Sequence, residues 1–118
     1  MFTISKTQMN AIETSYRKQR RQRLAVDFRK SYPSLVFEKS DQQLIEYVDI
    51  VIEDCKELGI AQDADILDCA AIGFLLKKPV CNKEVIALVT RTLNNQAWNA
   101  RKRLDFIWTH ILPPNCAD

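Results

Sequence analysis

"ILDCAAIGFLL", residues 66–76, is the stretch that decides the fold. Its residues are apolar on almost every side of a helix, which is typical of a helix buried within a core. Asp63 and Asp65 precede it and suit the positive end of a helix dipole, so we expect a central helix over about residues 63–76. Gly73 costs about 1 kcal/mol relative to alanine in an exposed helix, so its presence predicts the close approach of another backbone.

The rest of the chain also shows helical periodicity, with apolar residues every three or four positions and only two glycines and four prolines. Ser5 and Ser40 each stand three residues before a glutamine, which is the spacing of a capping box. One helix is expected from Ser5 to just before Pro33, and another from Ser40 to Leu58, where Gly59 can end it. Two more are expected after the central helix, one opened by Asn82 and one running from "NNQ" (residues 94–96) to about Leu112.

These segments predict an all-α fold, a compact bundle of about five helices that forms one domain over residues 1–118. The four cysteines are scattered without a C-x-x-C pair, and His110 is the only histidine, so neither zinc nor a disulfide framework is indicated. The N-terminal residues lack the apolar core of a signal peptide, and no apolar run is long enough to span a bilayer. We therefore expect a cytoplasmic protein that does not enter the membrane.

No sequence motif for catalysis is visible. The chain has no glycine-rich phosphate loop, nucleophile elbow or H-E-x-x-H pattern, so we expect a protein without enzymatic activity or cofactor. His110 is expected to be a structural or surface histidine. Glu46, Asp49 and Glu53 could share one helix face and bind a metal ion, but a solvated acidic face is the simpler interpretation.

Charge is distributed unevenly along the chain, although the net charge is only +2. Residues 17–30 carry seven basic residues and one acid, whereas residues 38–68 carry ten acids and two lysines. Such asymmetry indicates complementary faces, either within the fold or between the protein and a partner. The basic side chains of residues 17–23 spread around most of a helix, so they suit a solvated face or a protein-binding surface better than a narrow nucleic-acid footprint.

Trp98 lies close to "RKR", residues 101–103, and tryptophan and arginine are enriched at the energetic centres of protein interfaces. If the first and last helices are neighbours, the two basic segments form one patch. The candidate partner-binding residues are therefore Arg17, Arg20, Arg21, Arg23, Trp98, Arg101 and Arg103.

The order of four segments resembles a group of small helical bacterial proteins. These segments are "ISKTQMNAIE", "FRKSYP", "ELGI" and "DILDCAAIGFLL", and the resemblance covers roughly residues 3–78. We associate that group with gene clusters of type VI secretion effectors and their spike and tip proteins. The later stretch "AWNARKRLDFIWTHILPP" departs from the shorter tail that is expected of the group.

The resemblance implies an accessory role beside a secreted toxin, and it transfers no catalytic residue. Our main hypothesis is an adaptor or co-chaperone whose basic helix contacts an acidic surface of an effector or spike-tip protein. An immunity protein is the alternative, in which Glu46, Asp49, Glu53 and Asp54 cover the basic active site of a nuclease. Nucleic-acid binding by the basic helix, and a homodimer that pairs the basic helix with the acidic one, are further alternatives.

Overall fold

A computed structural model describes the backbone of residues 6–77 and 81–112, with side chains from Ser15 onward in those ranges. The all-α prediction is confirmed, and the described residues contain no strand. A four-residue helix after Pro33 lies in a segment expected to be a loop, so the described residues hold six α-helices rather than five. The α-helices are α1 (Lys6–Ser31), α2 (Pro33–Val36), α3 (Asp41–Glu57), α4 (Asp63–Leu75), α5 (Lys83–Leu93) and α6 (Ala100–Phe106), and a π-helical turn (Ile107–Ile111) continues α6.

Several helix ends follow from the cap residues. Ser40 Oγ accepts from the Gln43 backbone N–H at 3.2 Å, while the Ser40 N–H donates to Gln43 Oε1 at 2.9 Å, which completes the expected capping box of α3. Asn82 Oδ1 accepts from the Val85 N–H and caps α5. Gly59 has a φ of +74°, in the left-handed region that glycine adopts without strain. The capping box expected at Ser5 lies outside the described residues.

α4 is the central helix, as its sequence predicts. It contacts α1, α2, α3 and α6. Its buried apolar side chains join two clusters of the core, and half-buried residues that pack against both clusters connect them. The buried apolar residues of α4 are Ile66, Ala70, Ala71, Ile72 and Leu75, and the connecting residues are Leu35, Cys69 and Leu93.

Gly73 is closely approached, but by a side chain rather than by the expected backbone. The Tyr47 hydroxyl occupies the position that a Cβ atom at Gly73 would need. This hydroxyl donates to the Ala70 carbonyl at 2.7 Å, and the Tyr47 ring packs edge-on against Phe74 with 4.7 Å between centroids. The ring is therefore held from two sides, and the glycine makes room for its hydroxyl.

Arg103 joins the ends of three helices from inside the protein. The residue is only 3% exposed. Its Nη1 donates to the carbonyls of Leu58 and Leu93 at 2.8 and 2.7 Å, where α3 and α5 end. The last carbonyls of a helix accept no hydrogen bond from within that helix, and they carry a partial negative charge. A buried guanidinium can donate the missing hydrogen bonds. Arg103 is thus unsuited to the surface contact expected from sequence, because its donors are used within the fold.

We expect Gly73→Ala to destabilise the protein by about 1–3 kcal/mol, because the new methyl group collides with the Tyr47 hydroxyl. In a Tyr47→Phe background the same change should be neutral or stabilising by up to about 1 kcal/mol, since alanine is the better helix former. Urea unfolding of the four variants of this cycle measures the difference. Equal effects of Gly73→Ala in both backgrounds would contradict the assignment.

Arg103→Met should lower the free energy of unfolding by about 2–4 kcal/mol, because buried carbonyls at the ends of two helices lose their donor. Arg91→Met, on the exposed side of α5, is the matched control and should change it by less than about 0.5 kcal/mol. Both values come from urea unfolding followed by circular dichroism. If Arg103→Met behaved like the control, Arg103 would not be holding the helix ends together.

Candidate partner-binding surface

Three of the four basic candidates on α1 are paired within the fold. Arg20 and Arg23 both reach Asp63 at the start of α4, with N–O distances of 3.0 and 2.9 Å, and Arg20 also donates to the Ala61 carbonyl. Arg21 lies 3.7 Å from Asp49 on α3. The positive segment and the acidic segment noted in the sequence therefore meet each other within one chain.

Arg17 differs from the other three arginines of α1. Residues 15–19 are all exposed, although five consecutive residues point to every side of a helix. No ion pair of Arg17 is found among the described residues. Of the α1 candidates, Arg17 is thus the one that is exposed and makes no ion pair with the described residues.

Arg101 lies among three carboxylates. Its guanidinium contacts Asp68 at 2.7 Å, Asp65 at 3.0 Å and Asp105 at 3.0 Å. The pKa of Arg101 is raised above its usual value, mainly by the hydrogen bond to Asp68. Asp68 also accepts from the Tyr32 hydroxyl at 2.8 Å, and burial together with this hydrogen bond raises the pKa of Tyr32 to about 12. Arg101 therefore fastens α6 to α4 as well as lying at the surface.

The aspartates of α4 organise these contacts. Asp63 takes the two arginines of α1, and Asp65 and Asp68 take Arg101 of α6. Asp65 is only 8% exposed, so leaving its carboxylate without a cation would be costly. Much of the charge asymmetry in the sequence is consequently neutralised at the two sides of the central helix.

A row of aromatic rings begins with the half-buried Trp98 just before α6 and continues through the exposed Phe106 and His110. Trp98, Lys102, Phe106 and His110 follow each other at intervals of four residues, and we call them the α6 aromatic surface. The Lys102 ammonium lies 4.6 Å from the Trp98 ring centroid. Phe106 packs against Trp98 at 5.2 Å and against His110 at 4.9 Å between ring centroids. A shallow groove of about 450 Å³ runs beside Lys102, Phe106 and His110.

The π-helical turn sets the end of this surface. The Leu112 N–H donates to the Ile107 carbonyl five residues earlier, at 3.0 Å. Ile107 and Leu112 remain buried while Thr109 and His110 face outward. Widened turns of this kind often occur at functional sites.

Lys102, Phe106 and His110 were not among the partner-binding candidates from sequence. The signal that could have found them is the four-residue spacing from Trp98 to His110, which places all four residues on one side of a helix. Trp108 points elsewhere, as its ten-residue offset from Trp98 predicts, and stacks on Tyr32 with 6.4 Å between ring centroids.

The buried Cys55 and the half-buried Cys69 lie beside each other in the core. The Cys55 and Cys69 thiols hydrogen-bond to each other, and this bond together with burial holds the pKa of Cys69 well above its usual range. A thiol that stays protonated is a poor nucleophile, so Cys69 acts in packing. Within residues 6–77 and 81–112, no group of three potential metal-ligating side chains is found. In the same ranges, every helix is too short or too polar to cross a membrane.

No protein-family model, curated protein or solved structure matches this chain.

Arg101→Met is expected to lower the free energy of unfolding by about 1–2 kcal/mol, because the largely buried Asp65 and Asp68 lose their cation. The neighbouring Lys102→Met removes the same charge from an exposed position and should change it by less than about 0.5 kcal/mol. Thermal unfolding at two salt concentrations measures both, and the Arg101 effect should shrink in high salt. Equal losses for the two variants would show that Arg101 does not fasten α6 to α4.

Proposed function

We propose that this chain is a non-enzymatic accessory factor that binds another protein through the α6 aromatic surface. The partner class follows from the resemblance to proteins of type VI secretion clusters: a secreted effector or spike-tip protein, with this chain as its adaptor or co-chaperone. The observation that carries the proposal is the row of rings formed by the half-buried Trp98 and the exposed Phe106 and His110, with the Lys102 ammonium over the Trp98 ring.

The composition of this surface supports protein binding. Aromatic rings bury large apolar areas at little cost in conformational entropy, and they are enriched where interfaces gain most of their affinity. Phe106 is 37% exposed, so part of its ring is available for such a contact. Lys102 adds a positive charge beside the rings, which fits an acidic and partly apolar partner surface.

The basic helix has a smaller part in this proposal than the sequence suggested. Phosphate groups of a nucleic acid would have to compete with Asp63 for Arg20 and Arg23, so the geometry does not favour nucleic-acid binding. A homodimer that pairs α1 with α3 is disfavoured for a similar reason, because Arg21 already meets Asp49 of its own chain.

An immunity protein remains the second candidate, and the outer face of α3 supports it. Glu46, Glu53 and Asp54 are exposed there, whereas Asp49 is drawn toward Arg21. The exposed carboxylates could cover basic residues of a nuclease. Two experiments separate the two roles. Rescue of toxin-producing cells by expression of this chain alone supports immunity, whereas loss of effector secretion without self-intoxication after deletion of its gene supports the adaptor.

Phe106→Ala combined with Lys102→Glu should weaken binding to an effector encoded beside this chain by at least about tenfold. The double change removes both a ring that becomes buried in the complex and a favourable charge. Phe37→Ala is the matched control, since Phe37 is 72% exposed but lies at the end of α2. Calorimetry with the purified effector measures the affinities. Unchanged binding by the α6 variant, or an equal loss in the control, would contradict the proposed surface.

A further inference from the structure

A second concave site lies between α1, the end of α3 and the start of α4. Its volume is about 300 Å³, and its apolar lining comes from Ile52, Ile60 and Ile66. Arg20 and Lys56 lie at its rim. We call it the α1–α4 groove, and it is separate from the α6 aromatic surface.

The cations at the rim retain capacity to bind an anion. Arg20 uses Nε and Nη2 for Asp63 and Ala61, and no hydrogen bond of its Nη1 is found among the described residues. Among the described residues, the ion pair of Lys56 is with Glu53, at 3.0 Å and with both side chains more than half exposed. Exposed pairs of this kind contribute little, so an incoming carboxylate can displace Glu53.

Gly59 keeps the groove open from the side of the α3–α4 connection. With its positive φ it turns the chain directly after α3, and the buried Ile60 that follows it lines the groove. The volume is at the lower end of the range for ligand pockets, which suits one apolar side chain rather than a cofactor. An apolar lining with cations at its rim selects an occupant that is apolar and carries a carboxylate.

We propose that the α1–α4 groove binds one aliphatic side chain of a protein partner, with an adjacent carboxylate held between Arg20 and Lys56. Charge complementarity and size identify the occupant. The role of the groove in the cell rests on the protein-binding function proposed above. We assign the carboxylate to the C-terminus of the partner, because a C-terminal residue carries its side chain and its carboxylate on the same Cα atom; an acidic side chain beside the aliphatic one is the other source, and the experiment tests it. An accessory factor with this groove and the α6 aromatic surface contacts its partner at two separate places.

N-acetyl-leucine is the first probe, because it presents an aliphatic side chain and a carboxylate. In ¹H–¹⁵N NMR titrations of the full chain it should shift the amides of Gly59, Ile60 and Ala61, with a dissociation constant on the order of millimolar. N-acetyl-leucinamide lacks the carboxylate and should bind at least about fivefold more weakly. N-acetyl-aspartyl-leucinamide tests the other source, and tighter binding of this probe assigns the carboxylate to an acidic side chain.

Two variants test the groove itself. Lys56→Glu should weaken N-acetyl-leucine binding at least about fivefold. Lys30→Glu on the exposed face of α1 makes the same charge change away from the groove and should leave the affinity for N-acetyl-leucine unchanged. Ala61→Leu should block the groove. Absence of shifts at about ten times the expected dissociation constant, or equal binding of acid and amide, would overturn the proposal. These titrations use no effector, so their failure is distinguishable from failure of the α6 aromatic surface.

Discussion

The burial of α4 is the constraint on which the rest of the structure depends. An apolar helix in the centre of the fold cannot leave the carboxylates at its edges unpaired, because burial of a charge without a cation is costly. Asp65 and Asp68 are largely buried and therefore determine where Arg101 of α6 lies, while the half-exposed Asp63 at the start of α4 pairs with two arginines of α1. The basic segment near the start of the sequence thus supplies two of the cations that pair with carboxylates of the central helix.

Local signals in the sequence were sufficient for much of the fold. The capping box at Ser40, Gly59 and the apolar run of residues 66–76 act through neighbouring residues along the chain, so their geometry could be predicted. Arg103 could not be placed in this way, because "RKR" looks like a solvated basic tripeptide. Its position between Ala100 and Ile107 on the buried side of α6 was the one available signal, and its partners at Leu58 and Leu93 depend on packing between helices that are distant in sequence.

The difference between local signals and contacts between distant helices also explains why the sequence did not locate the binding surfaces. Counting charges along the sequence favoured the arginines of α1, but counting does not show which charges meet each other after folding. Once Asp63 and Asp49 are accounted for, two surface features still combine apolar groups with a neighbouring cation: the rings at α6 and the apolar groove beside Arg20. Both arise where helices meet or change their geometry, at the π-helical turn and at the α3–α4 connection.

Heparin chromatography of Asp63→Asn tests most directly whether α4 neutralises the basic helix. The change removes the carboxylate shared by Arg20 and Arg23 at a half-exposed position, so the two arginines become available to a polyanion. Asp54→Asn alters the net charge equally but lies on the outer face of α3. The account predicts that Asp63→Asn elutes at clearly higher salt than both Asp54→Asn and the unaltered protein, and co-elution of the two variants would contradict it.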